Sequence, residues 1–328
     1  MVLKNKSFDI TVSPVIRIIG DFDKIGDFVL GDLRVAAKYK SVTFLDEFGV
    51  TVEVHEVNRP PEVDANFRRY NTFKTVNGIV FFRNIPFLGK GFLAYKKLNS
   101  SIPVLEWNAL FRWWSNLPMT KVGSIGRHLE SIISLKLLEK DMVLLHGSVV
   151  SKNDSAILFT GLPNQGKTYT AIELIKKGYE FLSEDICVLS RLGDAFAVPF
   201  TTSLKSADSR HQKLTLFEMF RDLKCSPMSK LSIILILEKS SENLVLRLSI
   251  DEAAQKLLSI NHLEFYYHIN PFLRTYLALH QLPPIHNFMV LEEKIIRDVI
   301  MKIPVYLVRF STHSSRSQIV NQIVERWG

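Results

Sequence analysis

The residues best suited to chemistry lie in a glycine-containing segment, Gly161–Thr168, whose sequence fits the pattern G-x4-G-K-[ST] of a phosphate-binding loop (P-loop). Its glycines allow a tight turn that aims backbone amides at phosphate oxygens, and the following helix start adds partial positive charge. Lys167 is expected to reach the β- and γ-phosphates of a nucleoside triphosphate, and the Thr168 hydroxyl to ligate Mg²⁺. The predicted nucleotide-binding residues are Gly161, Asn164, Gln165, Gly166, Lys167, Thr168 and Tyr169.

The elements around this segment are those that such a loop requires. Strand-like Ala156–Phe159 precedes it, and helix-like Tyr169–Lys177 follows it, with Gly178 as the predicted helix stop. A strand over Met142–Leu145 comes earlier, and Phe181–Leu189 is expected to form the next strand. This order favours a phosphate-binding loop over the alternative, a turn that carries a solvated lysine.

Two further polar groups stand at defined distances from the loop. His146 lies 15 positions before Gly161, and the pair Glu184-Asp185 follows Lys167 by 17 and 18 positions. With the Leu-Leu-His-Gly segment around His146, this arrangement resembles the catalytic core of the HPr kinase/phosphorylase family and of HPr-kinase-related proteins. The resemblance covers residues 126–328. Its weaker part comprises Val198-Pro199-Phe200 and Ser203-Leu204-Lys205.

The resemblance implies a catalytic role for four side chains. Glu184 would activate the attacking hydroxyl, and Asp185 would join Thr168 as a Mg²⁺ ligand. His146 would hold or tune the base, because a nearby imidazolium favours an ionised carboxylate. Lys167 completes the predicted catalytic set. The family usually has two aspartates at the acidic pair, so Glu184 is a departure. The alternative for His146 is a structural histidine, and the alternative for Glu184-Asp185 is an exposed strand end. Both alternatives stay open.

The activity that the resemblance implies is that of a kinase, with ATP and Mg²⁺ as cofactors. The γ-phosphoryl group would pass to a hydroxyl, foremost a serine of a protein or peptide, as in related kinases of lasso-peptide precursors. The Gly- and Ile-rich signature of true HPr kinases is not found in the sequence, so neither HPr as acceptor nor a phosphorylase reaction is expected. A small-metabolite kinase and a nucleotide-binding regulatory module stay open. Arg210, Arg221 and Lys205 are phosphate-contact candidates, with solvated side chains as the alternative.

The implied fold is an α/β P-loop kinase domain of the HPr kinase/phosphoenolpyruvate carboxykinase-like type over residues 120–328. A β-rich α+β domain over residues 1–119 would precede it, with strand-like runs at Val42–Leu45, Val52–Val54 and Gly78–Phe82. No catalytic cluster occurs in this first part, which makes it a candidate for substrate recognition. The aromatic cluster Phe111–Trp114 is expected to pack in a core, with base stacking or peptide binding as the alternative.

The remaining periodic segments predict scaffold. Helices are expected over Arg127–Lys140, from the capping box Ser249–Glu252 through Leu258, and over Gln318–Trp327. Strands are expected over Leu231–Leu237, over Leu244–Leu248 beside it, and over Val305–Phe310. His262, His268, His280 and His286 show no metal-ligand spacing.

Composition favours an ordinary folded protein. The 328 residues are 47% hydrophobic and 23% charged, and the Lys and Arg residues behind the net charge of +8 are scattered, with no block of like charge longer than a few residues. The two cysteines, Cys187 and Cys225, form no disulfide or zinc pattern, and no run is apolar for 18 residues. We therefore predict a cytoplasmic protein with no nucleic-acid or membrane partner, and a homo-oligomer is left open.

Overall fold

The computed structural model describes residues 7–21, 43–69, 71–115, 124–198, 204–205, 213–214, 220, 222–311, 318, 321–323 and 325. It is a mixed α/β structure with two compact units. Unit 1 comprises residues 1–140 and 265–291, and unit 2 comprises residues 141–264 and 292–328. Of the predicted phosphate contacts, Arg210 and Arg221 lie outside the described residues, as do Pro199, Phe200 and Ser203 of the weaker resemblance.

The strands, numbered in chain order, are β1 Ser7–Ser13, β2 Ile16–Asp21, β3 Val50–Glu56, β4 Asp64–Arg69, β5 Thr72–Thr75, β6 Gly78–Ile85, β7 Gly89–Lys96, β8 Val104–Trp107, β9 Met142–Lys152, β10 Ser155–Thr160, β11 Glu180–Ser183, β12 Ile186–Ser190, β13 Asp194–Phe196, β14 Leu204–Lys205, β15 Lys213–Leu214, β16 Met228–Ser240, β17 Leu244–Arg247 and β18 Val305–Ser311. The helices are α1 Ala109–Ser115, α2 Ile125–Leu138, α3 Lys167–Lys176, α4 Ile250–Glu264, α5 Pro271–Leu279 and α6 Ile285–Ile300.

Unit 1 is built on an eight-stranded sheet with the order β1-β2-β3-β8-β7-β6-β5-β4. Along β3, Val50, Val52 and Val54 are buried while the residues between them are partly exposed. This period of two is what a strand with one face on a core requires. The predicted strands at Val52–Val54 and Gly78–Phe82 are therefore confirmed within β3 and β6.

Helix α2 belongs to unit 1, although the sequence placed it after the predicted boundary at residues 119 and 120. It packs against β3 and is buried along almost its whole length. Its side chains also join a buried polar network: the His128 Nδ1 atom lies 2.7 Å from the Tyr95 hydroxyl, and Asn270 Nδ2 donates to Ser131 Oγ at 3.0 Å. These contacts explain why the compact unit extends to Lys140 and includes residues 265–291.

Unit 2 contains a second sheet with the order β10-β9-β12-β13-β16-β18-β17. Strand β10 also pairs with β16 in parallel, so the path from β10 through β9, β12 and β13 to β16 closes on itself. The middle of β16 is a nearly continuous apolar run, as expected for a strand with neighbours on both edges. Its side chains pack with those of β10, α3 and β18 in one core.

Three strand predictions need correction. Residues 43–45 are not in a strand, because Leu45 O accepts the amides of Phe48 and Gly49 in a turn. Residues 181–189 form two strands, β11 and β12, since the chain bends at 184–185. Strand β17 pairs with β18 and not with β16, because β18 occupies that edge of β16 as a parallel partner.

The helical predictions agree more closely with the structure. The Ser249 amide donates to Glu252 Oε2 at 2.9 Å and the Glu252 amide donates to Ser249 Oγ at 3.3 Å, which is a capping box. The helix that follows, α4, continues past Leu258 to Glu264. The aromatic cluster Phe111–Trp114 lies in α1, with Phe111 buried and Trp113 half-exposed. Of the predicted last helix, residues 318, 321–323 and 325 are described, and they are helical.

No helix in the described part of the chain is both long and apolar enough to cross a membrane.

Candidate functional site

The glycine-containing loop joins the end of β10 to the start of α3. Gly161 has a φ of +142°, Asn164 of +64° and Gly166 of +91°, so the loop turns through conformations that side chains rarely adopt. A Cβ atom at Gly161 would lie 2.6 Å from the carbonyl oxygen of Leu237 in β16. Glycine is therefore needed at Gly161 for two reasons, its positive φ and this close approach.

Lys167 begins α3 and is buried. Its Nζ atom donates to the carbonyl oxygens of Gly161 at 2.8 Å and Leu162 at 3.1 Å, which folds the loop around the ammonium group. Gln165 fastens the loop to β16, because its Oε1 atom accepts the amide of Lys239 at 2.5 Å. The loop is thus held by its own side chains at both ends.

The first turn of α3 contains Thr168 and Tyr169, both partly buried. Amides in a first turn have no acceptor within the helix, and Gly166 at the N-cap provides no side chain to cap them. Aligned amides and the helix dipole attract an anion at such a position. The predicted residues Gly161, Asn164, Gln165, Gly166, Lys167, Thr168 and Tyr169 therefore lie on one loop and helix start that fit phosphate groups chemically.

His146 and Asp185 come together because β9 pairs with β12. The register sets His146 opposite Ile186, and the Gly147 amide donates to the Asp185 carbonyl oxygen at 3.0 Å. The His146 Nδ1 atom lies 3.5 Å from Asp185 Oδ1, at the outer limit of a hydrogen bond. On its other side β9 pairs with β10, and Thr160 Oγ1 donates to the His146 carbonyl oxygen at 2.7 Å.

The electrostatics of the site follow from burial. Burial lowers the pKa of His146, and the charge of Lys167 lowers it further, against smaller opposite effects of Asp185 and Glu264. Burial also lowers the pKa of Lys167, and Asp185 and Glu264 oppose that effect. These effects favour the neutral form of His146 beside Asp185, whereas an imidazolium was expected from the sequence.

The two members of the acidic pair differ in exposure. The Asp185 side chain is 48% exposed and acts electrostatically on both His146 and Lys167. Glu184 is 1% exposed, and its carbonyl oxygen accepts a hydrogen bond from the Ser148 hydroxyl on β9. The bend between β11 and β12 thus turns Asp185 toward the loop lysine and buries Glu184.

Sequence reasoning missed two residues of α4 that contribute to the site. Asn261 Oδ1 accepts the His146 amide at 3.2 Å, and Asn261 Nδ2 donates to the Leu144 carbonyl oxygen at 2.8 Å. Glu264 lies one helical turn further on the same face and acts on the charges of His146 and Lys167. The capping box at Ser249–Glu252 predicted where this helix begins. The residues around Asn261 and Glu264 do not indicate which strand the helix packs on.

Other predicted positions fall outside this cluster. Lys205 lies in β14, which pairs with Lys213–Leu214, and only its backbone is described. Among the described residues, no group of three or more His, Cys, Asp or Glu side chains is arranged to hold a metal ion.

The fold and the site define a class: a mixed α/β protein with a glycine-containing loop between a strand and a helix, and an acidic pair in the bend between two further strands. No model of a protein family matches the chain. An 86-residue segment, 26% of this chain, is 28% identical to an HPr kinase/phosphorylase from an Exiguobacterium species. This match relates the chain to the HPr kinase family, as the sequence motifs predicted.

Both comparisons are partial. The chain spans 28% of the length of that curated relative. A solved structure, the Hpr(Ser) kinase/phosphatase from Coxiella burnetii, is 12% identical and is matched over 56% of this chain and 94% of its own, with a TM-score of 0.30. A score at that level adds no weight, so the family relationship rests on the sequence match and the motifs.

The constraint on Gly161 makes a prediction that can be checked without any ligand. Gly161→Ala should lower the free energy of unfolding by about 1–3 kcal/mol, because a Cβ atom would collide with Leu237 O at a positive φ. Gly178→Ala is the matched control: its φ is +88°, but no atom lies within 4 Å of the added Cβ, so it should cost less. Urea denaturation of both variants measures the difference. Equal losses would show that the contact with Leu237 does not constrain the loop.

Proposed function

We propose that this protein is an ATP-dependent kinase that transfers the γ-phosphoryl group to a hydroxyl. The observation that carries the proposal is the buried Lys167 ammonium, which lies at the start of α3 within electrostatic reach of Asp185 and His146. A lysine is rarely buried unless it is paired or has a task. Here the loop carbonyl oxygens of Gly161 and Leu162 accept its hydrogen bonds, which leaves its charge available to a phosphate.

The residues present fit a nucleotide phosphate group. The Gly161–Thr168 loop and the first-turn amides of α3 would hold the β- and γ-phosphates, with Lys167 as the point charge. Thr168 and Asp185 would be the protein ligands of Mg²⁺. Bound Mg·ATP supplies the phosphoryl group and part of the charge compensation. The protein's share is then orientation of the phosphates and electrostatic stabilisation of the charge that develops during transfer.

The acidic pair would divide two tasks between its members. Asp185 faces Lys167 and His146, which suits the metal side of the site. Glu184 would accept the proton of the attacking hydroxyl, as the family resemblance implies. A neutral His146 would then act through Asp185, because its Nδ1 atom lies 3.5 Å from Asp185 Oδ1. Asn261 would position this histidine by holding the β9 backbone at the Leu144 carbonyl and at the histidine's own amide.

The acceptor we propose is a serine of a protein or peptide. The Exiguobacterium relative is named for a protein acceptor, HPr, and the present chain is related to it over a quarter of its length. A β-rich unit 1 would contribute to acceptor recognition. A cytoplasmic location and any oligomeric state stay predictions from the sequence.

A nucleotide-binding regulatory module is the second candidate, and one observation favours it. Glu184 is 1% exposed, whereas a catalytic base has to come within hydrogen-bond distance of the acceptor hydroxyl. If the acceptor cannot reach Glu184, the site would bind nucleotide and turn it over slowly. Phosphorylated product formed at a rate that depends on Glu184 distinguishes the kinase from this module.

Lys167→Ala tests the phosphate-binding assignment. Removing the ammonium should lower phosphoryl transfer by at least about 10²-fold, because its charge stabilises the transition state, while the fold is retained. Lys302→Ala removes an exposed lysine and should leave transfer unchanged. Transfer can be measured with ATP labelled in the γ-position, using candidate acceptors identified by mass spectrometry. A folded Lys167→Ala protein with normal transfer would exclude a P-loop function.

Glu184→Gln tests the proposed base. The change keeps the size of the side chain and removes the proton acceptor, so turnover should fall by about 10²–10⁴-fold while ATP still binds. Glu184→Asp should keep part of the activity, since aspartate is the usual family residue. Turnover and ATP affinity are measured on the same preparations. Wild-type turnover in a Glu184→Gln protein would transfer the role of base to Asp185.

A further inference from the structure

The excess positive charge of the chain lies in one segment. Residues 65–129 contain ten Lys and Arg residues and a single acidic residue, Glu106. The other 263 residues contain 31 Lys and Arg and 32 Asp and Glu, so they are close to neutral. Lys and Arg are nearly as frequent in the rest of the chain, 31 in 263 residues against 10 in 65, so the excess comes from the scarcity of acidic residues in this segment. A charge confined to one part of unit 1 calls for an explanation there.

Within this segment, the tip of the β6–β7 hairpin exposes apolar side chains on a strained turn. The Leu88 amide donates to the Ile85 carbonyl oxygen at 3.1 Å, with Pro86 and Phe87 between them. Proline in the second position and a positive φ in the third are typical of a type II turn, whose third residue is normally glycine or asparagine. Phe87 has a φ of +64° and is fully exposed, and Leu88 is 57% exposed.

An exposed phenyl group at a positive φ is unfavourable for folding and adds nothing to the packing of a core. An exposed phenyl group stabilises no core, and a bulky residue at positive φ is strained where glycine would not be. Strain of this kind is typically found where a side chain has a function outside the fold. A large apolar side chain that is exposed on a turn has a binding function when it inserts into the apolar part of a partner.

Two cations flank the tip on opposite faces of the hairpin. The register pairs Arg83 with Gly91 and Lys90 with Asn84, so the two basic side chains alternate in direction. The Arg83 guanidinium lies 5.1 Å from the centre of the Trp114 ring, and Lys90 Nζ lies 4.9 Å from that of Phe82. Contacts with aromatic faces orient these charges without neutralising them.

Helix α1 adds a third apolar group and fixes its position relative to the hairpin. Asn108, which precedes the helix, donates from Nδ2 to the Lys90 carbonyl oxygen at 3.1 Å. Its Oδ1 atom accepts the amides of Phe92 at 3.1 Å and Phe111 at 2.9 Å. Trp113 in this helix is half-exposed. The start of α1, which carries the exposed indole, is thus attached to the hairpin that ends in the tip.

We propose that the β6–β7 tip is a site that binds an anionic membrane surface. Phe87 and Leu88 enter the apolar boundary beneath the headgroups, while Arg83 and Lys90 contact lipid phosphates. An apolar anchor and a basic patch are the two signals that reversible membrane binding requires. This inference goes beyond the proposed kinase activity and departs from the expectation that no membrane partner is involved.

The chemistry of the tip favours a membrane over other anionic partners. Nucleic-acid bases stack on aromatic faces, and Phe87 is the one aromatic side chain of the tip, between the aliphatic Pro86 and Leu88. An acidic protein segment would be expected to lie in a groove, whereas a hairpin tip with a fully exposed phenyl group is convex. The scarcity of carboxylates in residues 65–129 also suits approach to a continuous layer of phosphates.

Phe87→Gly in the full-length chain is the decisive variant. Co-sedimentation should show binding to vesicles of phosphatidylcholine and phosphatidylglycerol in a roughly 3:1 ratio, and none to phosphatidylcholine alone. The variant should bind roughly 10-fold to 100-fold more weakly, because the phenyl group is lost from the lipid. Its thermal stability should be equal or higher, because glycine relieves the positive φ. Arg83→Gln and Lys90→Gln should each weaken binding about fivefold.

Phe48→Ser serves as the matched control, because it removes a phenyl group that is 59% exposed elsewhere in unit 1. It should leave vesicle binding unchanged. An absence of binding to the anionic vesicles overturns the proposal, and so does equal binding by the wild type and Phe87→Gly. Binding of a DNA oligonucleotide or a glutamate–tyrosine copolymer that Phe87→Gly abolishes, without vesicle binding, would assign the tip to that partner.

Discussion

The register of β9 between β10 and β12 is the constraint on which the site depends. Pairing with β10 places the loop that follows Thr160 beside His146, and pairing with β12 places the bend at Asp185 on the other side. Three segments that are distant in the chain are thereby fixed by backbone hydrogen bonds. A shift of one residue in either pairing would turn His146 to the opposite face of the sheet. The sheet therefore determines which polar side chains meet.

The energetic tension in the site lies in burying Lys167 and His146 next to each other. Burial disfavours the charge of both side chains, and their mutual repulsion adds to it. The site relieves this tension by leaving the histidine neutral and by surrounding the ammonium with loop carbonyl oxygens. Asp185 and Glu264 contribute compensating negative charge. An anionic phosphate would satisfy the lysine better than carbonyl groups do, which is why this geometry suits a nucleotide.

Much of this arrangement could be predicted from local sequence, because its signals are local. The loop pattern, the capping box at Ser249 and the period of two in β3 each lie within a few residues and act through backbone geometry. The spacing of His146, Lys167 and Asp185 was informative because the paired strands β9, β10 and β12 determine where all three residues lie. The bend that separates β11 from β12 was missed, since Phe181–Leu189 is apolar enough to read as one strand.

What the sequence could not supply are the contacts made by packing between distant segments. Asn261 supports His146 from a helix more than 100 residues away, and no periodicity encodes which strand that helix covers. The extent of unit 1 was missed for the same reason, because residues 265–291 return to it from beyond unit 2's first segment. The local charge excess was missed for another reason: the basic residues are spread over the chain, and the excess becomes visible only when the acidic residues of 65–129 are counted as well.

The division of tasks that we propose for the acidic pair makes Asp185, and not Glu184, the ligand of the Mg²⁺ that accompanies ATP. Calorimetric titration of ATP with and without Mg²⁺ into Asp185→Asn and Glu184→Gln tests it most directly. We expect Mg²⁺ to strengthen ATP binding in the wild type and in Glu184→Gln, and Asp185→Asn to lose this gain. Full Mg²⁺ dependence in Asp185→Asn, or no ATP binding by the wild type, would contradict this assignment.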